Sequence, residues 1–287
     1  MKYTNEMKLP LSLVSAIVND TYSKGNADIS VTTLIGPPKI RVLAERYKDV
    51  ISEDVADCIY RLVGSNTHAI LERIGHKNAL QEERLFLKVG GWTISGQADL
   101  YEDEIVHDYK NTSVWTILRG AKPEWINQLN CYAHGFRHAK FRVKGLKVIA
   151  ILRDWSKHKV RASGNYPRKQ VVTLEAPLWS NAEAQEYIEG RVVLHKAADA
   201  LKDDDIPPCS PEERWDKPTQ YAVVKGSLKG AWRVVDELDE AKKLKAEIEE
   251  RSGNKYRIDE RVGSSVRCEN YCSVNEYCHY YRAIVPF

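Results

Sequence analysis

Three residues in this 287-residue chain stand closest to chemistry: Asp99, and then Asp108 and Lys110 with one residue between them. Around them, Arg84 to Val89, Trp92 to Tyr101 and Glu104 to Lys110 are rich in β-branched or aromatic residues, punctuated by Gly90-Gly91 and Glu102-Asp103. That punctuation predicts a three-stranded antiparallel unit. Residues two apart on a strand face one side, so Asp108 and Lys110 are expected to point together, with Asp99 on the neighbouring strand. Two converging carboxylates with the Tyr109 carbonyl between them offer oxygen ligands to a hard divalent cation. A lysine beside such a site can orient a water and stabilise charge developing on a phosphate. A solvated hairpin with ordinary surface charge would carry the same residues, so the flanking sequence has to decide.

Upstream, Gly64 to Glu72 reads as helix with His68 and Glu72 one turn apart on one face. Downstream, Gln128 and Tyr132 repeat that spacing. The ordered set of His68, Asp99, Asp108-Tyr109-Lys110 and Gln128-x-x-x-Tyr132 resembles the RecB-type branch of the PD-(D/E)XK nuclease superfamily. That branch includes nuclease domains of bacterial recombination enzymes and the CRISPR-associated RecB-like exonucleases. The resemblance covers roughly residues 60 to 155 and implies an α/β fold, a restriction-endonuclease-like core with a mixed central sheet flanked by helices. It implies Mg²⁺ or Mn²⁺ held by Asp99, Asp108, the Tyr109 carbonyl and His68, with Glu72 supporting from behind. Lys110 would position the attacking water, and Gln128 and Tyr132 would hold DNA near the scissile phosphate. For Tyr132 a plain core position beside Trp125, Leu129 and Phe136 stays open.

Bulk properties set bounds. With 43% hydrophobic and 29% charged residues the chain is expected to fold, and its net charge of +3 is too mild to announce nucleic-acid binding. DNA contact would have to come from a local basic surface. Arg153, Lys157, Lys159, Arg161, Arg168 and Lys169 supply one, interleaved with Trp155 and Tyr166, which suits phosphate neutralisation with base stacking. A solvated loop explains the same charges. There is no apolar run long enough to cross a bilayer, and the polar Met1 to Glu6 start lacks a signal-peptide core, so no membrane and a cytoplasmic location are expected. For a phage protein that would be the host cytoplasm.

The remaining elements follow from periodicity. Leu9 to Asn19, Lys39 to Lys48, Glu53 to Ile74 and Glu124 to Ala139 read as helices, the second with its basic residues toward solvent. Leu146 to Trp155 reads as a strand buried on both faces, and Val171 to Leu174 as another strand. Ser180 with Glu183 forms a capping box for a helix to about Leu201.

Six cysteines in a cytosolic chain read as thiols or metal ligands. Cys209 and the trio Cys268, Cys272 and Cys278 suit four thiolates around one metal centre. In AddB-type and CRISPR-associated relatives a remote cysteine and a C-terminal trio bind a 4Fe-4S cluster. Their trio usually begins Cys-x2-Cys; here it is Cys268-x3-Cys272, so a tetrahedral Zn²⁺ site stays open. Cys58 is the alternative remote ligand; it and Cys131 read otherwise as packing. Residues 1–208 are therefore expected as a nuclease core with an N-terminal helical arm. Residues 209–287 are expected as a small αβ insert plus the cysteine end, whose metal centre would clamp the insert onto the core. No GxGxxG or GxxxxGK[ST] occurs, so a recombination or helicase partner would be another chain, and a homo-oligomer stays open. The expected function is metal-dependent exonuclease action on single-stranded DNA or duplex ends in recombination, repair or phage DNA processing. A catalytically idle DNA-binding accessory or assembly subunit is the alternative.

Overall fold

The computed structural model describes residues 2–19, 24–74, 79–162 and 164–284. The chain divides into two compact units, Met1–Ile206 and Pro207–Phe287.

The first unit is a mixed α/β layer structure. Its elements in chain order are α1 (Leu11–Val18), β1 (Ile29–Ser30), α2 (Pro38–Arg46), α3 (Ile59–Ile74), β2 (Leu80–Val89), β3 (Trp92–Glu102), β4 (Ile105–Thr112), α4 (Pro123–His138), β5 (Gly145–Leu152), α5 (Lys157–Ala162), β6 (Val171–Ala176) and α6 (Asn181–Asp199). The sheet runs β1-β3-β4-β5-β6, with β2 also paired to β3. Both hairpin turns are two residues long with left-handed backbone throughout: Gly90 and Gly91 at φ 56° and 78°, Asp103 and Glu104 at 53° and 63°. Such turns match the twist of the strands they join and fix their register.

The core lies between the sheet and α4. Leu129, Ala133 and Phe136 pack on Leu85, Leu87, Ile94, Ala98, Val106, Leu146 and Val148. β5 alternates fully and half-buried residues, so only one of its faces lies in the core, in place of the two expected. It pairs parallel to β4 and antiparallel to β6, which leaves its other face with thinner cover. Residues 52–58, expected as helix, form a short strand and a 3₁₀ turn ahead of α3.

α2 departs from expectation in a second way. Lys39 is 2% exposed and donates to the carbonyls of Asp203 and Ile206, at 3.1 and 2.7 Å. Arg46 donates to the Asp199 and Leu201 carbonyls beside it, so α2 supplies cations to the C-terminal end of α6, where carbonyls lack partners. At the same contact buried His195 accepts from Arg41 Nε at Nδ1 and lies 2.9 Å from the Leu34 carbonyl at Nε2, which demands the neutral Nε2–H form.

The second unit holds a three-stranded antiparallel sheet with β7 (Gln220–Lys225) between β8 (Ala231–Val235) and β9 (Tyr256–Arg261). One helix, α7 (Leu238–Ser252), covers it and ends at Gly253 in the left-handed conformation, φ 66°. α8 (Val266–Asn270) and α9 (His279–Ile284) carry the C-terminal cysteines.

Candidate active site

β3 changes neighbours along its length. Ile94 and Ser95 pair with β1, and Leu100 to Glu102 pair with β4, so the edge between them, Gly96 to Asp99, is left open. Extending the β3–β4 register one residue past Leu100–His107 sets Asp99 opposite Asp108. On the other side, the β2–β3 register runs Gln81–Leu100 and Glu83–Ala98, which sets Glu82 opposite Asp99. Three carboxylates thus stand in one row across three strands. Like charges directly opposite are unfavourable in a sheet, so something else must hold the row.

The backbone yields at this row. Leu80 and Leu85 both reach the main core although five residues apart, and so do Ala98 and Tyr101, three apart. Strict alternation forbids both spacings. Glu82 absorbs the odd residue in a left-handed conformation, φ 51°, a strained state for a non-glycine.

Each acid is met by a donor. The Tyr109 N–H donates to Asp99 Oδ2 at 2.6 Å, and His68 Nδ1 lies 3.3 Å from Asp99 Oδ1 and 3.4 Å from Glu82 Oε1. Gln97 Nε2 donates to the other Glu82 oxygen at 2.9 Å. In a strand the N–H and C=O of one residue point the same way, so the Tyr109 carbonyl faces this opening too. Hydrogen bonds to Asp99 and Glu82 raise His68 from 6.5 to about 10. The imidazolium proton sits where a cation would, and a metal binding there has to displace it.

Asp108 is 1% exposed, and burial, with Asp99 alongside, pushes it up to about 6 against the opposing pull of Lys110. Lys110 Nζ donates to Asp108 Oδ1 and to Gln128 Oε1, both at 3.0 Å. Asp108 Oδ2 lies 2.8 Å from the same ammonium yet has no hydrogen-bond partner of good geometry. An orphaned, fully buried carboxylate oxygen beside a second acid fits a cation.

Gln128 and Tyr132, expected to touch DNA, are 8% and 4% exposed, and Gln128 Nε2 donates to the Tyr132 hydroxyl at 2.7 Å. The structure gives them a positioning role: Tyr132 orients Gln128, and Gln128 orients Lys110. Gly96 makes this packing possible, since a Cβ there would lie 2.9 Å from the Tyr132 ring. Glu72 is exposed and is not in the ligand group; Glu82 stands in the place expected for a supporting acid. His68, Glu82 and Asp99 bring one ligand atom each to within 4.8 Å of one another. Glu82 lay outside the strand expected from Arg84 onward, but counting back from the Gly90-Gly91 turn would have set it opposite Asp99.

The basic tract is as exposed as expected at Arg153, Lys157, Lys159, Arg161, Arg168 and Lys169. Its aromatics are not free for stacking. Trp155 and Tyr166 pack on Val114, Ile117, Ala150 and Leu152, and Trp155 Nε1 donates to the Pro167 carbonyl at 2.8 Å. Burying that apolar area outweighs leaving the rings in water. The exposed aromatic near this tract is Tyr60, whose ring lies 4.2 Å from the Arg153 guanidinium carbon.

In the second unit Cys209 joins the trio. All four are free thiols, and Cys209 is pushed up to about 12 by burial, then by Glu213, Cys272, Cys268 and Cys278. Burial, then Cys272 and Cys278, raises Cys268 to about 11. Among the described residues no three of these sulfurs close to within 4.8 Å of one another, a wider set than the ~3.8 Å edge of a tetrahedral zinc thiolate. Arg214 donates to the Cys209 carbonyl, pairs with Asp216 at 2.6 Å and lies over Tyr280, tying the start of the unit to its end. Cys58 instead packs with Ile17 and Val55 in the first unit, and Cys131 in its main core.

No family model and no curated protein matches this chain. Among solved structures it is similar to the crystal structure of SSO0001, at 20% identity over 64% of this chain and 85% of that one, with a TM-score of 0.45. Among the described residues no helix is long and apolar enough to cross a membrane.

Proposed function

We propose that this chain is a metal-dependent deoxyribonuclease of the RecB-like PD-(D/E)XK type, acting as an exonuclease in DNA recombination, repair or phage DNA processing. One observation carries the reading: Asp99 and the buried, partly orphaned Asp108 converge at an open strand edge with Lys110 beside them. Asp99, Asp108 and the Tyr109 carbonyl would hold Mg²⁺ or Mn²⁺, with His68 as a further ligand. When bound, the ion would polarise the phosphate and ease ionisation of the attacking water. Lys110 has three N–H donors; Asp108 and Gln128 take two, and the third is left for a water or a phosphate oxygen. Asp99 holds the Tyr109 peptide in place, and Tyr132 and Gln128 keep the ammonium aimed. The exposed arginines and lysines of residues 153–169 would carry the DNA backbone toward this edge.

The test is cleavage of end-labelled single- and double-stranded DNA with Mg²⁺, Mn²⁺ or chelator, beside Asp108→Ala. Metal-dependent digestion that the variant loses supports the reading. Absence of cleavage by metal-replete protein overturns it in favour of an idle DNA-binding or assembly subunit. For the cysteine end we read a 4Fe-4S cluster on Cys209, Cys268, Cys272 and Cys278. Brown protein with iron and sulfide in equal amounts supports this, and colourless protein with stoichiometric zinc refutes it.

A further inference from the structure

The acid row has more ligand atoms than one ion at Asp99 and Asp108 would use. Asp99 is central, and its two oxygens are committed to opposite sides: Oδ2 to the Tyr109 N–H on β4, Oδ1 toward His68 and Glu82 on the β2 side. Glu82 divides in the same manner. One oxygen accepts from Gln97, itself fixed by Arg84, and the other faces His68 and Asp99. A partner behind a ligand that leaves one lone-pair face free is the usual arrangement around a bound cation. The distances also suit one. Adjacent ligands about a common ion at ~2.1 Å lie roughly 3 Å apart, and His68 Nδ1 stands 3.3 and 3.4 Å from its two carboxylate oxygens.

The charges agree. Asp108 is answered by Lys110, so Glu82 and Asp99 are left with His68 alone. Two carboxylates and a neutral imidazole carry the charge that a divalent ion balances. On the far side of Asp99 the orphaned Asp108 Oδ2, in a side chain almost wholly buried, is a separate oxygen waiting on a separate cation. The strain at Glu82 falls on the residue this arrangement needs, and a surface acid would have no reason to keep it.

We propose that the cleft binds two divalent cations sharing Asp99: one on Asp108 and the Tyr109 carbonyl, and a second, previously unassigned, on His68 and Glu82. The second position mixes nitrogen with oxygen ligands and therefore suits Mn²⁺ better than Mg²⁺, which prefers oxygen. In phosphoryl chemistry a pair of ions stabilises the attacking and leaving oxygens together. That use rests on the nuclease reading, but the binding itself does not.

Mn²⁺ titration of the full chain by calorimetry, with electron paramagnetic resonance of the loaded protein, tests the proposal without reading activity. Wild type should take up two Mn²⁺ in the cleft and show a spin-coupled pair. Glu82→Gln and, independently, His68→Gln should each take up one and lose the coupling, with melting curves confirming that the variants fold. A single cleft Mn²⁺ in wild type, or two retained in either variant, overturns the second site. Cleavage with one Mn²⁺ would sink the second position alone, whereas a coupled pair without cleavage would leave it standing and sink the nuclease reading.

Discussion

The cleft of the first unit and the thiol quartet of the second both gather ligand atoms, and they do so by opposite means. In the cleft each acid has a protein donor against it: Tyr109 and His68 for Asp99, Gln97 and His68 for Glu82, Lys110 for Asp108. Its charges are largely balanced by protein groups, so the arrangement stands without an ion. In the quartet, burial and mutual proximity push Cys209 to about 12 and Cys268 to about 11, so at neutral pH both are protonated. Only a bound metal would draw them into thiolates. Hard ligands on sheet strands are preorganised, whereas soft ligands on short loops wait for their metal to complete the fold. Losing metal should therefore cost the cleft its chemistry and the second unit its structure.

The largest effects should separate these two outcomes. Asp108→Ala and Lys110→Ala should each lower DNA cleavage on the order of 10³-fold, since each removes a charge set against the reacting phosphate. Their melting curves should stay near wild type; wild-type-like cleavage in either variant would refute the assignment. Cys272→Ser should do the reverse: loss of the cysteine-bound metal, protease sensitivity within residues 207–287, and retained Mn²⁺ binding in the cleft. If the variant keeps an intact second unit without metal, the contrast drawn between the two sites fails.

Two histidines sharpen the comparison within the first unit. His68 is raised by the carboxylates it faces, while burial, with Arg41 and Arg191 nearby, lowers His195 from 6.5 to about 4. Between those two values the unfolded chain binds the proton that folded His195 refuses. Its contribution to stability is therefore complete above about 6.5 and declines as pH falls toward 4. From pH 7 to pH 5 the loss should be about 2 kcal/mol. Urea unfolding of wild type against His195→Gln measures it, and equal slopes with pH would reject it.

Smaller effects belong to the positioning chain. Tyr132→Phe and Gln128→Leu should lower kcat by about tenfold, the worth of one hydrogen bond to a charged group, and leave KM nearly unchanged because neither side chain reaches the surface. A change confined to KM would return both residues to the DNA contacts first expected of them. Gly96→Ala should act through the same chain, since its Cβ meets the Tyr132 ring at 2.9 Å, with an overpacking cost of about 1–3 kcal/mol.

Sequence alone settles what turn chemistry and periodicity dictate. Gly90-Gly91 can hardly be other than a tight hairpin, Ser180 with Glu183 caps α6 as its spacing requires, and the β7–β8–α7–β9 order follows from runs separated by turn residues. The facing of Asp108 and Lys110 needs only the two-residue repeat of a strand. Other outcomes depend on which surfaces meet. Lys39 is buried because the end of α6 offers carbonyls to it, and Trp155 and Tyr166 fill a core that a basic, loop-like stretch does not announce. Glu82 became a site residue only where β2 breaks its alternation against β3, so that Leu80 and Leu85 both reach the core. A local pattern fixes which way neighbouring side chains point relative to one another. Where a strand must bend to bury two apolar segments at once, packing decides, and that is where the third acid of the row was placed.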